Sequence, residues 1–204
     1  MAFRFLFREA PPTGLILRND RDNISVSSWA IYSCLPMNDQ IRIELAKKQD
    51  AATIIEIHYA AVHQTARSSY SEEVVNVWSP PLNSDRIDRI EQAVENPDVW
   101  LIVAKQNNLI VGFGSISPKD NKLLTLYVHP NFGRRGIGAR ILTALEHEAR
   151  SLGLSYLQMD ASINAESFYY QHGFEIIEYA TYQLASGQEM ACVKMRKTLN
   201  SGAE

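Results

Sequence analysis

The segment Lys122–Gly153, "KLLTLYVHPNFGRRGIGARILTALEHEARSLG", constrains this chain more than any other. An apolar run ends at His129-Pro130. Three glycines (Gly133, Gly136, Gly138) and three arginines (Arg134, Arg135, Arg140) follow within a few residues. Beyond them Ile137, Ile141, Leu145, Ala149 and Leu152 recur every three or four residues, the mark of a helix with one apolar face, and Gly153 is its natural stop. The segment therefore reads as strand, glycine loop, helix. The first amides of a helix have no intrahelical partner, and the helix dipole adds partial positive charge there. Gly136 and Gly138 let the backbone approach a ligand without a Cβ in the way. The loop is built to hold an anion, phosphate above all.

The other elements must be compatible with that unit. Alternation in "IRIEL" from Ile41 predicts a strand, and Asp50 is placed to cap a helix through "AATIIEIHYAAVHQTA". Ser71 caps a second helix in "SSYSEEVVNVW", and Ser84 opens a third in "DRIDRIEQAVEN". "VWLIVAK" and "LIVGFGSIS" form a hairpin around "QNN", and "KDN" turns the chain into the motif strand. After the motif helix come a strand in "LSYLQMD", a short helix in "NAESFYYQH" ended by Gly173, and a closing hairpin around "ASG". The order β-α-α-α-β-β-β-α-β-α-β-β predicts a mixed α/β (α+β) domain on one central sheet.

Residues 1–36 lack periodicity and contain "APPTG" and "NDRDN"; they are expected to be a poorly ordered extension, with the folded domain spanning 37–204 from Met37 and "NSGAE" a loose tail. The net charge of −3 argues against a nucleic-acid partner, including an aminoacyl-tRNA acceptor. Two cysteines, Cys34 and Cys192, are too few for a disulfide framework or a structural zinc site, and no metal is expected. No run approaches the length of a membrane span, and the N-terminal apolar stretch is interrupted by Arg4, Arg8 and Glu9, so no membrane association is expected and the cytoplasm is the default location.

Two phosphate-binding motifs fail at the loop. A P-loop requires Gly-Lys-Ser/Thr, but Ala139 and Arg140 follow Gly138. A dinucleotide fingerprint requires a third glycine where Ile141 stands, and an N-terminal βαβ unit where this chain has hairpin-linked strands. The run Gly133-Arg134-Arg135-Gly136-Ile137-Gly138 after "LYVHP" instead resembles the acetyl-CoA pyrophosphate loop (Gln/Arg-x-x-Gly-x-Gly/Ala) of the GNAT, or Gcn5-related N-acetyltransferase, superfamily. "NAESFYYQHGF", Asn164–Phe174, resembles that family's A-x-x-F-Y-x-x-x-G-F helix, and the order of elements from 41 to 198 is similar too. Gly133 departs from the pattern, since Gln or Arg is usual there; Arg134 or Arg135 is placed to substitute.

The resemblance implies a GNAT-like mixed sheet of about six to seven strands with helices on both faces. It implies acetyl-CoA as co-substrate and direct transfer of the acetyl group to a primary amine of a small molecule or peptide. The pyrophosphate would lie on the backbone amides from Arg134 through Arg135, Gly136, Ile137 and Gly138 to Ala139. The pantetheine arm would pair with the backbone of Leu126 and Val128, and Asn164 would contact CoA. The Leu126 amide would polarise the thioester carbonyl. Tyr169 would donate a proton to the departing thiolate, with Tyr170 the alternative if the helix is rotated. Pairing of two copies through the C-terminal strands is also implied.

The general base is open. Some family members carry Glu early on the motif strand, where this chain has Lys122; Asp160, Glu166, His63 or ordered water are the alternatives. His58, on the inner side of its helix, and His129, at the strand's end, read as packing residues. Tyr70 and Trp78 are placed to wall an acceptor pocket, while Glu72 and Glu73 read as a solvated helix start. The missing acid on the motif strand motivates one rival reading, an acyl-CoA-binding regulatory module without turnover.

Overall fold

A computed structural model describes residues 40–199; the expectations for 1–36, Met37, Cys34 and the tail lie outside the described residues. Seven strands form one mixed sheet: β1 (Arg42–Leu45), β2 (Trp100–Gln106), β3 (Leu109–Ser117), β4 (Lys122–Val128), β5 (Tyr156–Ser162), β6 (Glu175–Gln183) and β7 (Glu189–Thr198). Their spatial order is β1-β2-β3-β4-β5-β7-β6. The helices are α1 (Ala51–Ala61), α2 (Glu72–Trp78), α3 (Ser84–Glu95), α4 (Ile137–Ser151) and α5 (Glu166–Gln171).

Helices cover both faces, as the apolar patterns require. On one face α4 packs Ile137, Ile141, Leu145 and Ala149 into a core with Val111, Ile116 and Leu157. Close approach of α4 depends on two glycines of β3. A Cβ on Gly112 would stand 3.0 Å from Ile141, and one on Gly114 would stand 2.7 Å from Ile141 and 2.9 Å from Leu145. On the other face Ile54, Ile55 and Ile57 of α1 and Ile90 of α3 meet Val103, Phe113 and Leu124. Leu152, which continues the apolar period of α4, is 49% exposed, because the helix has already ended and Gly153 turns away at φ 78°.

Three local expectations change. The expected first helix is α1 followed by a π turn over Val62–Ala66, with Thr65 Oγ1 donating to the Ala61 carbonyl at 2.6 Å. Asp50 does not cap α1 with its side chain; its carboxylate accepts the Lys47 amide at 2.8 Å and closes the preceding 3-10 turn. Asn83 rather than Ser84 caps α3, accepting the Arg86 amide at 2.9 Å. The "QNN" turn is a tight hairpin in which Asn107 and Asn108 take φ 51° and 66°, a conformation asparagine tolerates.

The sheet is interrupted at its centre. Parallel strands β4 and β5 share one registered pair, Lys122 with Gln158, supported by a 2.9 Å bond from the Gln158 amide to the Asn121 carbonyl. Beyond it β5 follows β7, paired continuously from Tyr156 to Ser162, while β4 follows β3. The two strands part toward their C-terminal ends.

Candidate active site

A cleft of about 480 Å³ opens where β4 and β5 part. Leu126 and Val128 line one side, Ser162 and Asn164 the other, and Gly136, Ile137, Gly138 and Ala139 close one end. The direction of the β4 backbone follows from one bond: the His129 amide donates to Val111 of β3 at 2.9 Å. Successive residues of a strand point their amides to alternate sides. Tyr127 therefore also turns its backbone to β3, and Leu126 and Val128 turn theirs to the open side.

The glycine loop has the conformation of an anion cradle. Arg134 (φ 61°) and Gly136 (φ 74°) are both left-handed, which brings successive amides round to one concave side. The first bond of α4 runs from the Arg140 amide to the Gly136 carbonyl at 3.1 Å, so the amides of Ile137, Gly138 and Ala139 precede the ladder. Nothing lies within 4 Å of where a Cβ on Gly136 would sit, which leaves the cradle open. At Gly138 a Cβ would touch the Phe168 ring at 3.4 Å, so this glycine sets how closely the loop approaches α5. These features fit a pyrophosphate. Arg134 lines the cleft; Arg135 does not, its guanidinium lying 5.5 Å above the Phe132 ring.

Tyr169 lines the cleft and is 4% exposed, while Tyr170 is 66% exposed and points elsewhere. Phe168 and Phe174 hold the Tyr169 ring edge-on at 5.0 and 5.5 Å. Burial pushes the Tyr169 hydroxyl well above the ordinary phenol range, so it keeps its proton throughout neutral pH. Tyr127 lies in the same wall and is pushed up further, by burial and then by the neighbouring Tyr169, an effect the Trp78 indole opposes.

The three side chains considered as bases are engaged elsewhere, and none lines the cleft. Asp160 sits 2.5 Å from Lys122 Nζ in a separate cavity of about 240 Å³ with Lys194 and Arg196. Glu166 accepts the Tyr179 hydroxyl at 3.1 Å. His63 Nε2 is 2.8 Å from the Ser79 carbonyl, and its ring stacks on Tyr59. His58 is fully buried with Nδ1 2.8 Å from Ser79 Oγ and 3.2 Å from Arg86, and burial holds its pKa well below the usual imidazole range. His129 Nδ1 accepts the Asn131 amide at 3.2 Å, a cap on the turn after β4.

The structure separates the two residues expected to wall an acceptor pocket. Trp78 lines the cleft; Tyr70 does not, but packs edge-on against Trp78 at 5.6 Å. Glu72 and Glu73 are exposed in the first turn of α2, where the dipole favours acids and Ser71 accepts the Val74 amide at 3.3 Å. Sequence reasoning missed Val62, Thr65, Tyr127, Phe168 and His172, all of which line the cleft. Phe168 and His172 were within reach, since they lie in the quoted helix motif. Tyr127 was not: it alternates with Leu126 and Val128, and only a cleft that passes between parted strands draws on both faces of β4.

The family model for an acetyltransferase (GNAT) domain matches residues 66–199. A spermidine N(1)-acetyltransferase of Thermoplasma acidophilum is 27% identical over 144 residues, 67% of this chain and 89% of that protein. Among solved structures, a GCN5-related N-acetyltransferase from Rhodopseudomonas palustris superposes with TM-score 0.70 at 28% identity, covering 81% of this chain and 99% of its own. The PaiA N-acetyltransferase from T. acidophilum, solved with coenzyme A, superposes with TM-score 0.64 at 22% identity, covering 78% and 99%.

Proposed function

The chain belongs to the GNAT acetyltransferase family and is an N-acetyltransferase, and from that premise we propose that it moves the acetyl group of acetyl-CoA directly to a primary amine. One observation carries this reading: the cradle at the start of α4, the outward backbone of Leu126 and Val128, and the hydroxyl-bearing Tyr169 share one cleft. Acetyl-CoA supplies the activated thioester. The amides from Arg134 to Ala139 hold its pyrophosphate, aided by the charge of Arg134. Val128 pairs its backbone with the amide-rich arm, and Asn164 holds the arm from the β5 side. The Leu126 amide faces the thioester oxygen, where negative charge grows as the amine attacks. Tyr169, held neutral by burial, donates its proton to the departing sulfur. The ammonium of the acceptor loses its proton to water.

Calorimetric titration of acetyl-CoA into the wild type and Gly136→Trp tests the cradle. Binding by the wild type and its loss in a folded Gly136→Trp support the reading; equal binding by both refutes it. Thiol release with amines then separates an enzyme from a binding module. On edge strand β6, exposed Ile177 and Tyr179 support pairing of two copies there, which light scattering reads as twice the chain mass.

A further inference from the structure

The far end of the same cleft identifies the kind of amine it accepts. Val62 and Thr65, from the π turn after α1, face it with Trp78 of α2 and Tyr127 of β4. A π turn widens the helix locally and recurs at functional sites; here it brings Val62 and Thr65 together on the cleft. The two rings are braced from behind. Tyr127 stands edge-on to His58 at 4.6 Å, and Trp78 stands edge-on to His58 at 6.3 Å and to Tyr70 at 5.6 Å. His58 is in turn held by Ser79 and Arg86. The wall is rigid, aromatic and aliphatic.

Its charge is equally informative. Among the described residues that line the cleft, the cation Arg134 belongs to the glycine loop, and no lining residue is Asp or Glu. Glu72 and Glu73 project from α2 into solvent. A polyamine or an aminoglycoside carries further ammonium groups beyond the one that reacts, and each loses hydration on entering without a carboxylate to replace it. A single ammonium against ring faces is favoured by the ring quadrupole, and an apolar body gains by burial.

Resting on the N-acetyltransferase reading above, we infer that the acceptor is a small monoamine with an aromatic or branched aliphatic body, seated against Trp78 and Tyr127. In the transfer the amine nitrogen bonds to the acetyl carbon as the carbon–sulfur bond breaks. The ammonium nitrogen loses one proton to water before it attacks. The sulfur takes a proton from Tyr169, and the second proton, shed by the nitrogen as the amide forms, returns through water to Tyr169.

The test is kcat/KM by thiol release with acetyl-CoA and, in parallel, 2-phenylethylamine, 3-methylbutylamine and spermidine. The two monoamines are expected to exceed spermidine by roughly tenfold or more. Trp78→Phe keeps a ring and the fold, and is expected to raise KM for 2-phenylethylamine while leaving the acetyl-CoA Kd unchanged. Thr65→Glu, at an exposed position, adds the missing carboxylate and is expected to move the ratio toward spermidine. Spermidine equal to or better than both monoamines in the wild type overturns the inference, as does acetyl-CoA binding with no monoamine turnover. Failure to bind acetyl-CoA at all is a different result, and it refutes the underlying reading of the cleft.

Discussion

The amide of Ile163 donates to the hydroxyl of Tyr70 at 2.7 Å, joining segments 93 residues apart. The same hydroxyl donates to the Ala191 carbonyl at 2.8 Å. Tyr70 thus ties the loop between α1 and α2 to the turn that carries Ser162 and Asn164, which line the cleft. Tyr70→Phe is expected to lower stability by about 1 kcal/mol, the net worth of a typical hydrogen bond. It should also weaken acetyl-CoA binding and raise the amine KM together. Unchanged Kd and KM in a destabilised variant would reduce Tyr70 to a purely structural role.

Arg134 holds a left-handed backbone at φ 61°, which costs a residue with a side chain about 1–2 kcal/mol. Arg134→Gly relieves that strain and removes a cation from the cleft. The expected result is equal or higher thermal stability with weaker acetyl-CoA binding. A variant that binds as tightly as wild type counts against a role for the Arg134 side chain.

Tyr169→Phe retains the ring packing and loses the hydroxyl proposed as the proton donor. A fall in kcat of about 10²-fold is expected, with little change in acetyl-CoA Kd. Because burial raises the Tyr169 pKa, the wild-type acid stays protonated, and its ionisation should cause no loss of kcat up to pH 9.5 or so. An alkaline limb below pH 9 that vanishes in Tyr169→Phe would contradict this.

Asp160 is paired with Lys122 away from the cleft, both side chains being about 85% buried by their 14% and 15% exposures. Asp160→Asn should lower stability by roughly 1–2 kcal/mol by leaving Lys122 half-compensated, and leave kcat near wild type. A large loss of kcat with a steeper pH dependence would restore Asp160 as the base.

His58 is buried with its pKa depressed below 6.5. The unfolded chain then takes up a proton before the folded one as pH falls, so the stability tied to neutral His58 is full above the unfolded pKa and is lost progressively below it, down to the folded value. Denaturant unfolding from pH 7.5 to 5 should show this loss, and a folded His58→Gln should show a flatter profile over the same window. Parallel profiles would mean that other groups carry it.

The glycine-loop half of the candidate site was legible because it is local. Strand, glycine loop and helix occupy one continuous stretch, and backbone amides at a helix start do the same work whatever surrounds them. The motif helix added Asn164 and Tyr169 for the same reason, and periodicity was sufficient for both faces of the sheet. The other half of the cleft was not legible. No pattern along the chain announces that β4 and β5 pair once, at Lys122 and Gln158, and then part. Nor does it show that Tyr127 joins Trp78 through that gap, or that Asp160 is spent on Lys122. Those outcomes depend on which neighbour each strand follows and on side chains that meet across 38 or 93 residues. The sequence alone determined where the glycine loop and its unpaired helix-start amides lie; packing around the parted strands decided which residues face them across the cleft.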